Sequence, residues 1–268
     1  RLLWDALGLG EPPAYAHLPL LVNEQRKKLS KRRDDVALAD YIDRGYLPEA
    51  MANYLALLGW GPPDEVEIRP MSEIVELFTL EAVNKAPAMF DQQKLDHVNA
   101  EYIRAMSPEE FAERVRPWMA ATDVGWPADR YDESVVVALA PEIQQRISRL
   151  DEAPGWVAWL FVDAIDEYVE KAWTKAMVKG RAADRVLDDA ITALADDAFD
   201  DPGRLESTVM GIGDRLTAEL GARVMSQAPV RVALTGTNAG IPLWEAMALL
   251  GRDTTVARLR AARDRLEG

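Results

Sequence analysis

The stretch Arg26-Lys27-Lys28-Leu29-Ser30-Lys31-Arg32-Arg33 places six cations in eight residues, inside a chain of formal net charge −14. Such a run is most simply a solvated loop, and its other reading is a patch that meets a polyanion. The pattern inside it is narrower than a basic run, because two lysines flank a Leu-Ser pair as Lys28-Leu29-Ser30-Lys31.

Working outward, His17-Leu18-Pro19-Leu20-Leu21-Val22-Asn23 precedes the run, and Asp40-Tyr41-Ile42-Asp43-Arg44-Gly45-Tyr46-Leu47-Pro48-Glu49-Ala50 follows it. Then come Asn53-Tyr54-Leu55-Ala56-Leu57-Leu58-Gly59-Trp60, Phe90-Asp91 with Lys94-Leu95 and Asn99, Pro229-Val230-Arg231-Val232-Ala233-Leu234-Thr235-Gly236, and Leu249-Leu250-Gly251. In this order and spacing the segments resemble bacterial glutamyl-tRNA synthetases, from the end of the catalytic domain to the C-terminus. The basic loop resembles the K-x-S-K loop of class I aminoacyl-tRNA synthetases. The family also carries an H-x-G-H-type signature, and neither histidine of this chain, His17 or His97, lies in one. The expectation is therefore a fragment that keeps the loop finishing the ATP site and lacks most of the nucleotide-binding sheet.

Composition sets bounds on this reading. A chain of 268 residues with 49% hydrophobic residues can hold one large or two to three small cores. Without cysteine there are no disulfides, no thiol catalysis and no cysteine-ligated zinc, which fits a cytoplasmic setting. There is no signal-peptide pattern and no apolar run long enough to span a bilayer. Net negative charge opposes indiscriminate nucleic-acid binding. The charge is uneven, however: residues 132–206 carry a marked acidic excess, and 207–268 a small basic one. An acidic body with basic patches suits a protein that meets RNA at chosen places.

Helical periodicity dominates the rest. Leu47, Met51, Tyr54, Leu55 and Leu58 form an i, i+4, i+7, i+8, i+11 stripe, with Pro48 suited to the first turn and Gly59 to the stop. Val66 and Ile68 alternate with Glu65 and Glu67, which predicts one short strand. Ser72, Asp91 and Ser107 are candidate helix caps. Pro117 should kink or end its helix. Trp156, Trp159, Leu160 and Phe161 read as core aromatics, and the aspartates at 196, 197, 200 and 201 as a solvated linker. Leu205, Val209, Ile212, Leu216 and Leu220 make another stripe. On the last helix, Val256, Leu259 and Leu266 face one way, while Arg258, Arg260, Arg263 and Arg265 cover the remainder. The predicted fold is mainly α with minor β.

The resemblance implies four parts: residues 1–33 as a catalytic-domain remnant, 34–105 as a tRNA stem-contact module, and helical bundles over 106–203 and 204–268 forming the anticodon-binding domain. It implies glutamate–tRNA ligase activity for the full-length protein, through a glutamyl-adenylate, with ATP and Mg²⁺, and no turnover or cofactor for the fragment alone. In the ATP-binding loop Lys28, Leu29, Ser30, Lys31 and Arg32, the resemblance gives Lys31 the phosphate contact and Lys28 the holding of the loop. It places Arg146 where the family reads the third anticodon base, and Arg231, Thr235 and Leu243 in a second anticodon contact region. The segment Ala239-Gly240-Ile241-Pro242-Leu243 departs from the family's commoner Pro-Gly order. The implied partner is tRNA(Glu), with tRNA(Gln) the further candidate, bound by a cytoplasmic monomer that holds no metal of its own and touches no membrane. The competing expectation is an acidic helical adaptor for other proteins. It accounts for the charge and the stripes, but not for the basic loop.

Overall fold

Leu47 turns the chain in extended conformation, and Pro48, which has no N–H to lose, opens the helix that follows. The structure is a computed structural model; it describes residues 2–13, 15–30, 37–121, 124–197 and 199–268. Fourteen α-helices and two strands of two residues each are found among them, in two compact units divided between Ala105 and Met106. The architecture is mainly α with minor β.

In the first unit, helix α1 (Leu2–Ala6) ends at Gly8, which has positive φ. Strand β1 (Leu21–Val22) pairs in parallel with β2 (Ala88–Met89), Leu21 opposite Ala88. Helices α2 (Leu38–Asp43), α3 (Pro48–Leu57), α4 (Met71–Leu77) and α5 (Gln92–Ala105) complete it. The apolar stripe of α3 is buried at Leu47, Met51 and Tyr54, whereas Leu55 is exposed. Burying side chains of this size is worth about 1.5–3 kcal/mol each. Gly59 stops the helix with φ +101°, and a Cβ there would lie 2.4 Å from the ring of Pro19. Asp91 caps α5 by accepting from the amides of Gln93 and Lys94 at 2.9 and 3.1 Å.

Two local expectations fail in this unit. Residues 65–68 form no strand. No neighbouring strand pairs with them; instead the Val66 carbonyl accepts from the Arg69 guanidinium and the Glu67 carbonyl from Asn53. Ser72 caps nothing, because α4 begins one residue earlier, after Pro70.

The Tyr54 hydroxyl donates to the Asp91 carbonyl at 3.0 Å and accepts from the Asp91 amide at 2.7 Å. Burial pushes its pKa up from 10.0 to about 12. The folded chain thus keeps this proton up to about pH 12, while the unfolded chain loses it near 10. The contribution is full below that lower pH and is lost as pH rises through the window. Urea midpoints of the first unit should therefore fall between about pH 10 and 12, and the fall should be shallower in Tyr54→Phe.

The second unit begins with α6 (Pro108–Met119), capped by the Ser107 hydroxyl, which accepts from the Glu110 amide at 3.2 Å. Pro117 falls in its last turn, and the helix ends two residues later. Helix α6 packs on α7 (Glu133–Gln144), on a 3₁₀ turn at Leu150–Glu152 and on α8 (Ala153–Val157). Helix α9 (Glu170–Trp173) runs on into a π turn, Thr174–Val178. Helices α10 (Ala183–Ala195), α11 (Pro202–Leu220), α12 (Gln227–Thr235), α13 (Leu243–Leu250) and α14 (Arg252–Glu267) follow.

Helix α10 packs against α11, α12 and α14, so one core across position 203/204 holds Leu187 and Leu194 together with Val209, Leu216, Leu234 and Leu259. The apolar face of α10 needs a partner, and the helices after the aspartates provide it. The aspartates themselves are not simply a solvated linker. Asp197 is buried, its carboxylate meeting Arg204 at 2.5 Å and the Thr208 hydroxyl at 3.0 Å, and its carbonyl accepts from Arg252. Arg258 also departs from its expected surface position: it is 2% exposed.

Candidate nucleic-acid interface

Arg146 follows the C-terminal end of α7. Its Nη1 donates to both the carbonyl and the carboxylate of Glu142, the latter at 2.7 Å, and no bond from Nη2 or Nε is found among the described residues. One edge of the planar guanidinium is thus fixed while the side chain remains part exposed. Just beyond, the Ser148 amide is held by the Glu152 carboxylate at 2.8 Å, and Arg149 pairs with Asp151 and Glu152. These bonds fix the turn that leads away from Arg146.

Arg231 lies on α12 and braces the loop that follows it: its Nη1 donates to the Ile241 carbonyl at 2.9 Å. The loop from Gly236 to Pro242 is built from short polar turns. The Thr235 hydroxyl donates within 2.8 Å of the Arg231 carbonyl and lies 3.2 Å from the Thr237 amide, from which it accepts. The Thr237 hydroxyl accepts from the Ala239 amide at 3.0 Å. Gly236 closes α12 with φ +74°, and its carbonyl accepts from the Val169 amide at 2.8 Å. A Cβ at Gly236 would lie 2.8 Å from the Glu167 carbonyl oxygen, so only glycine fits there. Asn238 stands exposed at the tip.

The fold brings Arg146 and Arg231 close enough for their charges to interact. Burial, and secondarily the charge of Arg146, holds the Arg231 guanidinium below its ordinary pKa. Arg231 makes no ion pair with a carboxylate among the described residues. A half-buried cation with a second cation in its neighbourhood and no carboxylate partner among the described residues is an unfavourable arrangement, which an acceptor-rich ligand would relieve. Planar guanidinium groups suit this, since they stack on bases and donate paired hydrogen bonds to their edges.

Thr235 and Leu243 do not share that exposure. Thr235 is 8% exposed with its hydroxyl engaged by the backbone, and Leu243 is 1% exposed in the core. Both side chains are turned into the protein, where they hold the loop in place.

Arg258 is the residue that sequence periodicity misses. Its guanidinium donates to the carbonyls of Val162, Asp163 at 3.4 Å and Leu234 at 2.8 Å. It ties the segment after Trp159 and Phe161 to the end of α12, next to Thr235. Burial pushes its pKa down to about 10, so it stays charged at neutral pH. Its place among the five arginines of the last helix gives no sign of this; the signal lies only in carbonyls far off in the chain.

In the first unit, β1 leads into a tight turn in which the Asn23 side chain accepts from the amides of Gln25 and Lys27 at 3.1 and 3.0 Å. Lys28 forms a bridge with Val22 and is exposed, while Leu29 and Ser30 are partly buried. Lys31 and Arg32 lie outside the described residues. Among the described residues no group of three or more His, Cys, Asp or Glu side chains is placed to hold a metal ion, and no helix is long and apolar enough to cross a membrane.

Residues 110–263 match the family model of the anticodon binding domain, and residues 1–97 match that of the class I tRNA synthetase (E and Q) catalytic domain. The glutamate–tRNA ligase of Thermobifida fusca is 49% identical over 100% of this chain and 55% of its own length. That of Frankia casuarinae is 47% identical over 100% of this chain and 56% of its own. The chain spans about half the length of the curated relatives it matches. A crystal structure of a glutamate tRNA ligase from Elizabethkingia meningosepticum, in complex with its amino acid, superposes with a TM-score of 0.83 at 26% identity, covering 99% of this chain and 54% of that one. The chain belongs to the anticodon binding domain family, in the form in which that domain follows a class I catalytic segment in glutamate–tRNA ligases.

Proposed function

We propose that this chain reads the anticodon of tRNA(Glu), as part of a longer protein that joins glutamate to that tRNA. The observation that carries the reading is the juxtaposition of Arg146 with a half-buried Arg231 that has no carboxylate partner among the described residues. In this reading both guanidinium groups meet unstacked anticodon bases. Arg231 does so from α12, beside a loop that Thr235, Gly236 and Leu243 hold in position. An arginine at position 146 favours the stricter kind of enzyme, which charges tRNA(Glu) and not tRNA(Gln).

Residues 34–105 serve as the stem-contact module, and the chain acts as a cytoplasmic monomer. In the longer protein ATP, with Mg²⁺, supplies the activation of the glutamate carboxylate. In that protein Lys31 meets the phosphates and Lys28, whose backbone bridges Val22, holds the loop. The chain alone is expected to bind RNA without turnover.

The reading is tested by titrating tRNA(Glu) and an anticodon-swapped tRNA(Glu) into Arg146→Ala and Arg231→Ala. Each substitution should reduce the preference for the true anticodon by about tenfold to a hundredfold, the worth of one paired base contact. Both arginines are wrongly assigned if each variant keeps the parent preference. An acidic protein adaptor would be indifferent to the anticodon throughout.

A further inference from the structure

The segment after α9 is folded unusually tightly. The π turn Thr174–Val178 is followed by Gly180, where a Cβ would lie 2.0 Å from the Ala176 carbonyl oxygen, and by Ala182 at φ +55°. This geometry carries Lys175, Lys179 and Arg181 to one wall of a pocket of about 400 Å³. Arg223 and Asn238 also line it, as do Ala228 and Pro229 of α12. No carboxylate does. All four cations are exposed, and none has a hydrogen bond or ion pair with another side chain among the described residues.

Carboxylates outnumber cations in this chain by 45 to 31, and many of its arginines are paired. Four unpaired cations around one pocket repel one another, and no local acid offsets this. The pocket also adjoins the base-reading face. Pro229 precedes Arg231 on α12, and Asn238 stands on the loop that Arg231 braces.

We propose that this pocket takes a phosphate of the nucleic-acid backbone, seating the RNA while Arg146 and Arg231 read its bases. The proposal rests on the anticodon reading given above. Lysine ammonium groups are compact point charges that suit phosphate oxygens and carry no base preference. The pocket therefore sets affinity and register, and leaves specificity to the two arginines.

The test follows the amides of Gly180, Arg181, Ala228 and Asn238 by NMR. The labelled chain is titrated with the glutamate anticodon stem-loop, with its anticodon-swapped form, and with inorganic phosphate. Both RNAs should shift these amides, and phosphate should shift the same set. The double variant Lys175→Ala/Lys179→Ala should lose these shifts. It should also weaken both RNAs alike, with the slope of log Kd against log salt reduced by about 1–2. A variant with unchanged slope and affinity overturns the pocket, as does a pocket that phosphate shifts and RNA does not, or one that responds to nothing at low salt. Equal parent affinity for both RNAs, together with a slope lost in the variant, would uphold the pocket and sink the anticodon reading.

Discussion

Replacing Arg258 with leucine should destabilise the second unit by about 3–5 kcal/mol, because three carbonyls lose their donor at once. Arg258 is 2% exposed and meets Val162, Asp163 and Leu234, the bond to Leu234 being buried and the other two part-buried. Leucine fills part of the volume and supplies no donor. Lysine keeps the charge but not the fork, and it should recover only part of the loss. The neighbouring Arg260 is exposed, and Arg260→Leu should move stability by no more than about 0.5 kcal/mol. Urea unfolding of the three variants beside the parent measures this. Equal midpoints for Arg258→Leu and Arg260→Leu would contradict the role given to Arg258. The same bonds anchor the end of α12, so Arg258→Lys should also loosen the Thr235–Pro242 loop, read as faster amide exchange at Gly236 and Thr237.

Asn53→Ala is expected to cost the first unit about 2–4 kcal/mol, since it leaves buried backbone groups unpaired. Its Oδ1 accepts from the Arg69 amide and the Tyr102 hydroxyl, each at 3.0 Å, and its Nδ2 donates to the Glu67 carbonyl at 2.8 Å. One side chain therefore fastens the irregular segment 64–70 between α3 and α5. Urea unfolding followed at Trp60, which is 4% exposed in this unit, reports the loss. A midpoint within error of the parent would show that segment 64–70 is held by other means.

These two residues mark the limit of what the sequence reveals. The stripe at Leu47, Met51 and Tyr54 was legible because an amphipathic helix repeats its apolar face at fixed spacing, and three of its five members are fully buried. The caps at Asp91 and Ser107 were legible because the hydroxyl or carboxylate and the amides it serves lie within three residues. Asn53 and Arg258 are polar residues at positions where helical periodicity expects solvent. What buries them is backbone from other parts of the chain, Glu67 and Arg69 in one case and Val162 and Asp163 in the other. The strand expected at 65–68 fails for the related reason that alternation sets which face is polar but provides no partner strand.

The candidate site divides in the same way. The arginines were marked by a resemblance in local order, and their proximity arises from α7 and α12, far apart in sequence. Leu243 sits in a segment that looks like a contact loop, yet it opens α13, and its side chain turns into the core. Of the pocket's cations, Lys175, Lys179 and Arg181 lie in a stretch without acids, whereas Arg223 is far off in sequence, and it is the fold that brings the four to one pocket.

The measurement that bears most directly on the central claim is the ratio of dissociation constants of the unaltered chain for tRNA(Glu) and for the same tRNA with its anticodon exchanged, taken at one moderate salt concentration. The account predicts a ratio of about ten or more in favour of the true anticodon, retained as salt rises while both affinities fall. A ratio of one at every salt concentration at which the chain binds would contradict it, and would leave the basic surface as the whole of the attraction.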